Sequence, residues 1–244
     1  MENIKVPEEF KVLISNRDKR YVRQCSIDCV VFGFAQNQMK VLLVQWKYLD
    51  KWTLPGGFIH QDEPIDQAAN RILKERTGLE KLYLKQFATF GDPHRSRSKD
   101  MQQMLDAMGI FLPEDNWLFE RFISIGYLAL VNFDRVTPNT DLLSSVCGWH
   151  NLSEIPDLMF DHTHIIQTAL GTLRKQLYTE PVGKYLLPEK FTMPELQKLY
   201  ETILGEPLDR RNFAKKISSM SSVKRLKERK SGGAHRAPYL YTFI

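Results

Sequence analysis

The chain has 244 residues, of which 43% are hydrophobic, 11% aromatic and 26% charged. That balance excludes a disordered or collagen-like polymer, and no run of 18 apolar residues exists to cross a membrane. Its formal charge of +5 is unevenly placed. Residues 207–244 hold ten basic side chains against Asp209 and Glu228, or +8 in 38 residues, and the other 206 carry −3. A basic end of this kind suits a polyanion partner. Met1 to Arg23 is polar and lacks the apolar stretch of a secretory signal. Three cysteines, Cys25, Cys29 and Cys147, fit a reducing cytoplasm better than a disulfide framework, and Cys25 and Cys29 read as small core residues.

In chain order, Gln24–Phe34 is β-branched and apolar, and Met39–Trp46 follows after Gln36-Asn37-Gln38, so the two predict a hairpin. Trp52–Phe58 reads as a Pro-Gly-Gly loop. Glu63–Arg76 has apolar residues at helical spacing and ends at Gly78. Tyr83–Phe90 and Arg121–Phe133 predict strands, separated by a long polar insertion over 92–119 in which Asp100–Met108 predicts a short helix. Cys147–His150 predicts a strand. Asp161–Leu177 predicts a helix with Asp161 as N-cap. Pro181–Lys184 reads as a linker into a second unit. There, Thr192-Met193-Pro194-Glu195 is a capping box opening a helix to Ile203, and Asp209 caps a second helix from Arg210 to Met220. Val223–Lys230, a turn at Ser231-Gly232-Gly233 and a strand at Tyr239–Phe243 complete a winged helix-turn-helix pattern.

Residues 54–79, LPGGFIHQDEPIDQAANRILKERTGL, resemble the Nudix box. Gly57, Glu63, Arg71, Leu73, Glu75, Gly78 and Leu79 match its pattern, whereas Ile72 and Arg76 stand where it has glutamates. The resemblance implies an α/β fold, the Nudix α-β-α sandwich with a mixed sheet, over about residues 20–180, followed by a small winged helix-turn-helix domain over 186–244. In the family, three carboxylates on one helical face bind Mg²⁺. Here positions 72, 75 and 76, which share a face, carry Ile, Glu⁻ and Arg⁺. A guanidinium at the metal position repels a divalent ion by about 8 kcal/mol at about 4 Å and an effective dielectric of about 20. The expectation is therefore no metal, no cofactor and no catalysis. The alternative is a divergent Mg²⁺-dependent hydrolase drawing ligands from Glu120 and Asp161.

This domain order is similar to that of the Nudix-related transcriptional regulators. The resemblance implies a cytoplasmic, homodimeric, ligand-responsive regulator that binds a double-stranded DNA operator. Its implied effector is a sugar or an ADP-ribose-like nucleotide-sugar, and the likeness is nearest to the sugar-responsive branch. Phe58, His60, Asp92, His94, Arg95 and Arg121 are the expected effector-binding residues, because Arg and His hold hydroxyls or phosphate. In Arg210–Met220, Phe213, Ile217 and Met220 form a core stripe while Arg211, Lys215 and Ser218 form another face. Arg210, Arg211, Asn212 and Lys215 are thus expected on DNA, with Lys227, Lys230 and Arg236 in the wing. An RNA-binding scaffold fits less well, since the basic end lacks aromatic pairs suited to stack bases.

Overall fold

The computed structural model describes residues 20–80, 82–93, 95, 97–133, 138–140, 144–230 and 237–244, without the side chains of Arg97 and Ser98. The expected turn at Gly232-Gly233, the first 19 residues, His94 and Arg236 lie outside the described residues.

The hairpin forms as its sequence predicts. Strand β1, Tyr21–Ala35, turns into β2, Gln38–Trp46, through Gln36 and Asn37, whose φ values of 52° and 59° match the twist of a tight hairpin. Trp52–Phe58 is not a free loop. It supplies β3, Trp52–Thr53, on the edge of β2, and β4, Gly56–His60, which pairs with the first half of β1. The Pro-Gly-Gly signal marks only the corner between these strands. Helix α1, Ile65–Thr77, ends at Gly78, whose φ of 73° lets its N–H reach the Lys74 carbonyl at 2.8 Å. Strands β5, Tyr83–Phe90, and β6, Ile123–Val131, pair antiparallel, and β6 runs parallel to β1. Strand β7, Ser144–Asn151, pairs with β2. The mixed sheet has the order β3-β2-β1-β6-β5 along its main path.

Alternation along β1 divides the core. Ile27, Cys29 and Val31 pack with Ala68, Ala69, Ile72 and Leu73 of α1 on one face. Val30 and Phe32 pack on the other face with helix α3, His162–Gln176, through Ile165, Ile166, Ala169 and Leu173. This is the α-β-α sandwich. The insertion adds helix α2, Arg97–Ala107, and a 3₁₀ turn, Trp117–Phe119. Met101, Met104, Leu105 and Met108 pack there on Trp117, Leu118, Phe122 and Met159 as a third apolar cluster.

Two local expectations give way to tertiary contacts. The Asp161 side chain makes no cap bond at α3 and instead accepts from Arg95 Nη2 at 2.7 Å, because a nearly buried guanidinium competes for it. The segment expected as a linker holds helix α4, Gly183–Leu186, with Val182 and Leu186 buried.

The C-terminal unit has β8, Phe191–Thr192, then α5, Met193–Leu204, α6, Arg210–Ser219, β9, Val223–Arg229, and β10, Tyr239–Phe243. Its strands order as β8-β10-β9. The capping box is present: Thr192 N–H donates to Glu195 Oε2 at 2.7 Å, and Glu195 N–H donates to Thr192 Oγ1 at 3.3 Å. Asp209 accepts from Asn212 N–H at 2.8 Å to cap α6. Leu196, Leu199, Tyr200 and Ile203 of α5 and Phe213 and Ile217 of α6 join the same apolar cluster as α3 and β1. The winged helix is therefore packed onto the sandwich.

Candidate effector cavity and DNA-binding face

A cavity of about 400 Å³ opens where β1, β4, α1 and the insertion meet. Its first wall is the Nudix-like box. Arg71 holds that wall rigid: Nε donates to Glu63 Oε2 at 2.9 Å, Nη2 to Glu63 Oε1 at 2.5 Å and to the Phe58 carbonyl at 2.9 Å, and Nη1 to Glu75 Oε2 at 2.9 Å. His60 N–H also donates to Glu63 Oε1 at 2.8 Å. The Arg71 hydrogen bonds hold the Glu63 carboxyl below its usual range, against the opposing effect of burial. Burial, then the Arg71 charge, pushes His60 down, so its ring is neutral at pH 7 and offers hydrogen bonds instead of charge.

The three positions of the family's metal face have separate fates. Ile72 is 1% exposed and belongs to the apolar core beneath Gly57, where a Cβ on the glycine would come 3.1 Å from Ile72 Cγ1. Glu75 is paired with Arg71. Arg76 lines the cavity and donates from Nε to the Gly56 carbonyl at 3.0 Å. The charged lining residues are three arginines, Arg20, Arg71 and Arg76, against two carboxylates, Asp28 and Glu75.

The second wall is apolar. Met101, Met104 and Leu118 come from the insertion, with Trp46, Phe58 and Phe160 beside them. Phe160 has a φ of 59°, a conformation that a bulky side chain rarely adopts, and its N–H donates to Asp100 Oδ2 at 2.5 Å. The long insertion is thus built into the site.

The floor is polar and buried. Asp28 and His162 are each 2% exposed and both line the cavity. Ser124 donates its hydroxyl to Asp28 Oδ2, and Leu54 N–H donates to His162 Nδ1 at 2.9 Å. Gly56 permits this approach, since a Cβ there would come 2.5 Å from Asp28 Oδ1.

The structure brings only part of the expected effector set together. Phe58 and His60 line the cavity. Arg95 does not: its Nη1 donates to the Phe90 carbonyl at 2.6 Å and its Nη2 to Asp161, which makes it an internal brace. Arg121 is exposed and donates to the Gly91 carbonyl, and Asp92 is exposed outside the cavity lining. Proximity to the strand ends suggested these residues, but the part of the insertion that lines the cavity is Met101, Met104 and Leu118. Asp28, His162 and Arg20 line the cavity and were not among the expected residues. Their signal was weak but present: Ser26 and Asp28 are two polar residues at i and i+2 on one face of an otherwise apolar strand.

On the C-terminal unit, Arg210, Arg211, Asn212 and Lys215 are exposed on α6, while Phe213 and Ile217 are buried beneath them. Asn212 and Arg211 lie in the first turn. Lys227 is exposed on β9. Lys230 is not independent, because its Nζ donates to Glu195 Oε1 at 2.5 Å and ties the wing to the start of α5. Arg225 and Arg229 flank Tyr239, with guanidinium carbons 4.6 and 4.1 Å from the ring centroid. They add a stacked basic pair that spacing alone did not single out.

These features define a Nudix fold joined to a winged-helix DNA-binding unit. A Nudix domain model matches residues 23–169, and a model described as the NrtR DNA-binding winged helix domain matches residues 183–243. The ADPR responsive transcriptional repressor NtrR of Acinetobacter baylyi is 30% identical over 225 residues, covering 89% of this chain and 81% of that protein. The crystal structure of Shewanella oneidensis NrtR matches with a TM-score of 0.68 and 27% identity, covering 91% of this chain and 94% of that one. The structure of the same protein complexed with a 27mer DNA matches with a TM-score of 0.68, 26% identity and the same coverage. The chain belongs to the NrtR family of Nudix-related transcriptional regulators. The nearer likeness expected to the sugar-responsive branch gives way to this assignment. Among the described residues, no helix is long and apolar enough to cross a membrane.

Proposed function

We propose that this chain is an ADP-ribose-responsive transcriptional repressor whose Nudix domain senses the effector without hydrolysing it. The observation that carries this reading is the cavity itself, with arginines along the box wall and an apolar slot across from them. A nucleotide-sugar needs both: cationic donors for its diphosphate and a flat apolar surface for its base. The A. baylyi relative, alike over most of both chains, carries the name of an ADPR responsive repressor, which supports the same effector class. The box favours sensing over catalysis. Ile72 is committed to the core and Glu75 to Arg71, while Arg76 adds positive charge at the position where a divalent ion would sit. The protein acts as a homodimer whose two α6 helices address half-sites of a pseudo-palindrome.

The test is fluorescence anisotropy with a duplex selected by this protein from a random pool, titrated in the presence of ADP-ribose, arabinose or ribose. ADP-ribose is expected to shift duplex affinity and the free pentoses to leave it unchanged. A pentose that acts while ADP-ribose does not would overturn the reading.

A further inference from the structure

The two residues that lead into α3 are held by different parts of the molecule. Asp161 is tied to the sheet: Arg95 Nη2 donates to its carboxylate at 2.7 Å, and Arg95 Nη1 donates to the carbonyl of Phe90, the last residue of β5, at 2.6 Å. Phe160 is tied to α2: its N–H donates to Oδ2 of Asp100, in the first turn of that helix, at 2.5 Å. Phe160 itself has a φ of 59°, in the left-handed region that a bulky side chain rarely adopts. Such a conformation persists only where the surroundings over-determine it, as at ligand clamps and switch regions.

Phe160 also meets the cavity and α3 at once. Its side chain lines the cavity, and its ring packs on the imidazole of His162, the first residue of α3, with centroids 5.2 Å apart. On α2, Met101 follows Asp100 directly, and Met104 lies one turn further; both line the same cavity. A ligand that presses on these methionines therefore acts on the helix whose first turn holds the Phe160 N–H. The layer behind them is Met101, Met104, Leu105, Met108 and Met159 against Trp117, Leu118 and Phe122. Methionine side chains adapt readily to a changed shape, so this layer can re-pack while the sheet stays fixed. At its far end α3 is bonded to the winged helix, where Arg174 Nε donates to the Ile203 carbonyl at 2.7 Å.

We propose that the Asp100–Phe160 bond is an allosteric latch, the contact through which an effector lying against α2 sets the start of α3 and so the affinity for DNA. Phe160 is the hinge: α2 sets the residue itself, and the sheet fixes the residue after it. A ligand shifts an equilibrium only by its unequal affinity for the two arrangements. Contacts with Met101, Met104 and Phe160 supply that inequality, because they change when α2 moves. The proposal rests on the effector reading above and makes Asp100 a positioning residue. It differs from a passive wall, which governs how tightly the effector binds; a latch governs what binding does at the DNA face.

The experiment uses the full chain, with calorimetry for ADP-ribose affinity and anisotropy on the selected duplex with and without saturating ADP-ribose. Asp100→Ala removes the acceptor, whereas Asp100→Asn keeps an acceptor oxygen on the same stem; thermal melts verify that each folds. In Asp100→Ala the effector-induced change in duplex affinity is expected to be at least about threefold smaller, with ADP-ribose affinity of the DNA-free protein within about threefold of wild type. Asp100→Asn should keep the wild-type change within about twofold. Hydrogen exchange adds a readout that needs no variant: ADP-ribose should alter exchange over residues 158–166 in the wild type. An Asp100→Ala protein that folds and retains the full effector response, whether or not it binds ADP-ribose more weakly, refutes the latch and leaves the effector reading standing. So does a wild type whose duplex affinity responds to ADP-ribose while exchange over 158–166 does not. If the wild type does not bind ADP-ribose, the effector reading fails first and takes the latch with it.

Discussion

The Lys216 ammonium sits 3.2 Å from the ring centroid of Tyr178, joining α6 to the end of the segment that begins at His162. Lys216 therefore faces the sandwich, although its neighbours Arg211 and Lys215 face outward. The same seam contains Tyr200 Oη donating to the Leu177 carbonyl at 2.8 Å and Arg174 Nε donating to the Ile203 carbonyl at 2.7 Å. Helix α3 thus has the cavity floor at its first turn and the winged helix at its last. A single rigid element touching both sites is a physical route for coupling between them.

Replacing Tyr178 with Leu is expected to weaken that coupling. Effector binding to the DNA-free protein should stay within about twofold, while the effector-induced change in duplex affinity, ordinarily about 5- to 150-fold in such systems, should shrink. Linkage gives an internal check, because the duplex must then lose the same factor in its effect on effector affinity. An unchanged coupling factor by either route would remove the Lys216–Tyr178 contact from the mechanism.

The Glu63–Arg71 clamp predicts a pH dependence with a definite sign. Glu63 is held below its ordinary value of 4.5 in the folded state, chiefly by its Arg71 hydrogen bonds. Its stabilisation is present above the unfolded value and disappears as the pH falls through the folded one. Glu63→Gln should cost about 1.5–3 kcal/mol at pH 7 by urea melts, because charged hydrogen bonds are lost and Arg71 is left under-partnered. The gap between wild type and variant should narrow below about pH 4.5. A gap that stays constant down to acid denaturation would mean that the clamp contributes nothing through charge.

The box predicts two further outcomes. Purified protein with Mg²⁺ or Mn²⁺ should not turn over ADP-ribose at even about 1 s⁻¹, the low end of ordinary enzymes. Ile72→Glu should destabilise by about 2–4 kcal/mol, since it places a carboxylate in the layer between α1 and β1. Arg76→Glu, at a partly exposed position, should be tolerated far better. Turnover that is lost in Glu75→Gln would show the box to be catalytic after all.

The elements legible in the sequence are those whose cause is local. Two β-branched, apolar runs around a polar turn wrote β1 and β2, the glycine stop ended α1, and the Thr192 and Asp209 caps began α5 and α6. What was not legible depends on partners distant in the chain. The Asp161 side chain is drawn away by Arg95, Pro-Gly-Gly hides a strand that forms only beside β1, and the supposed linker is buried by the winged helix. The site follows the same division. The box wall is contiguous and was read directly, whereas the floor joins Asp28 of β1, Ser124 of β6 and His162 of α3, which only the folded sheet brings together.

The DNA face predicts different signatures for residues of equal charge. Arg211 stands exposed in the first turn of α6, the part of a recognition helix that normally reaches base edges. Arg211→Ala should cost about 1–3 kcal/mol on the selected duplex and relax preference at one base pair. Lys227 is exposed on β9 and pairs with no carboxylate among the described residues, so Lys227→Ala should weaken binding to selected and scrambled duplexes alike. It should also lower the slope of log K against log salt by about one, because one fewer counterion is released. Lys230→Ala should behave otherwise, because its ammonium is already engaged by Glu195. Its salt slope should change by less than that of Lys227→Ala, and freeing Glu195 leaves a negative charge near the wing that weakens all duplexes modestly. Anisotropy across a salt series with both duplexes separates the three. If Arg211→Ala weakens scrambled DNA as much as the selected site, α6 is not the reading helix, whatever Lys227 and Lys230 do.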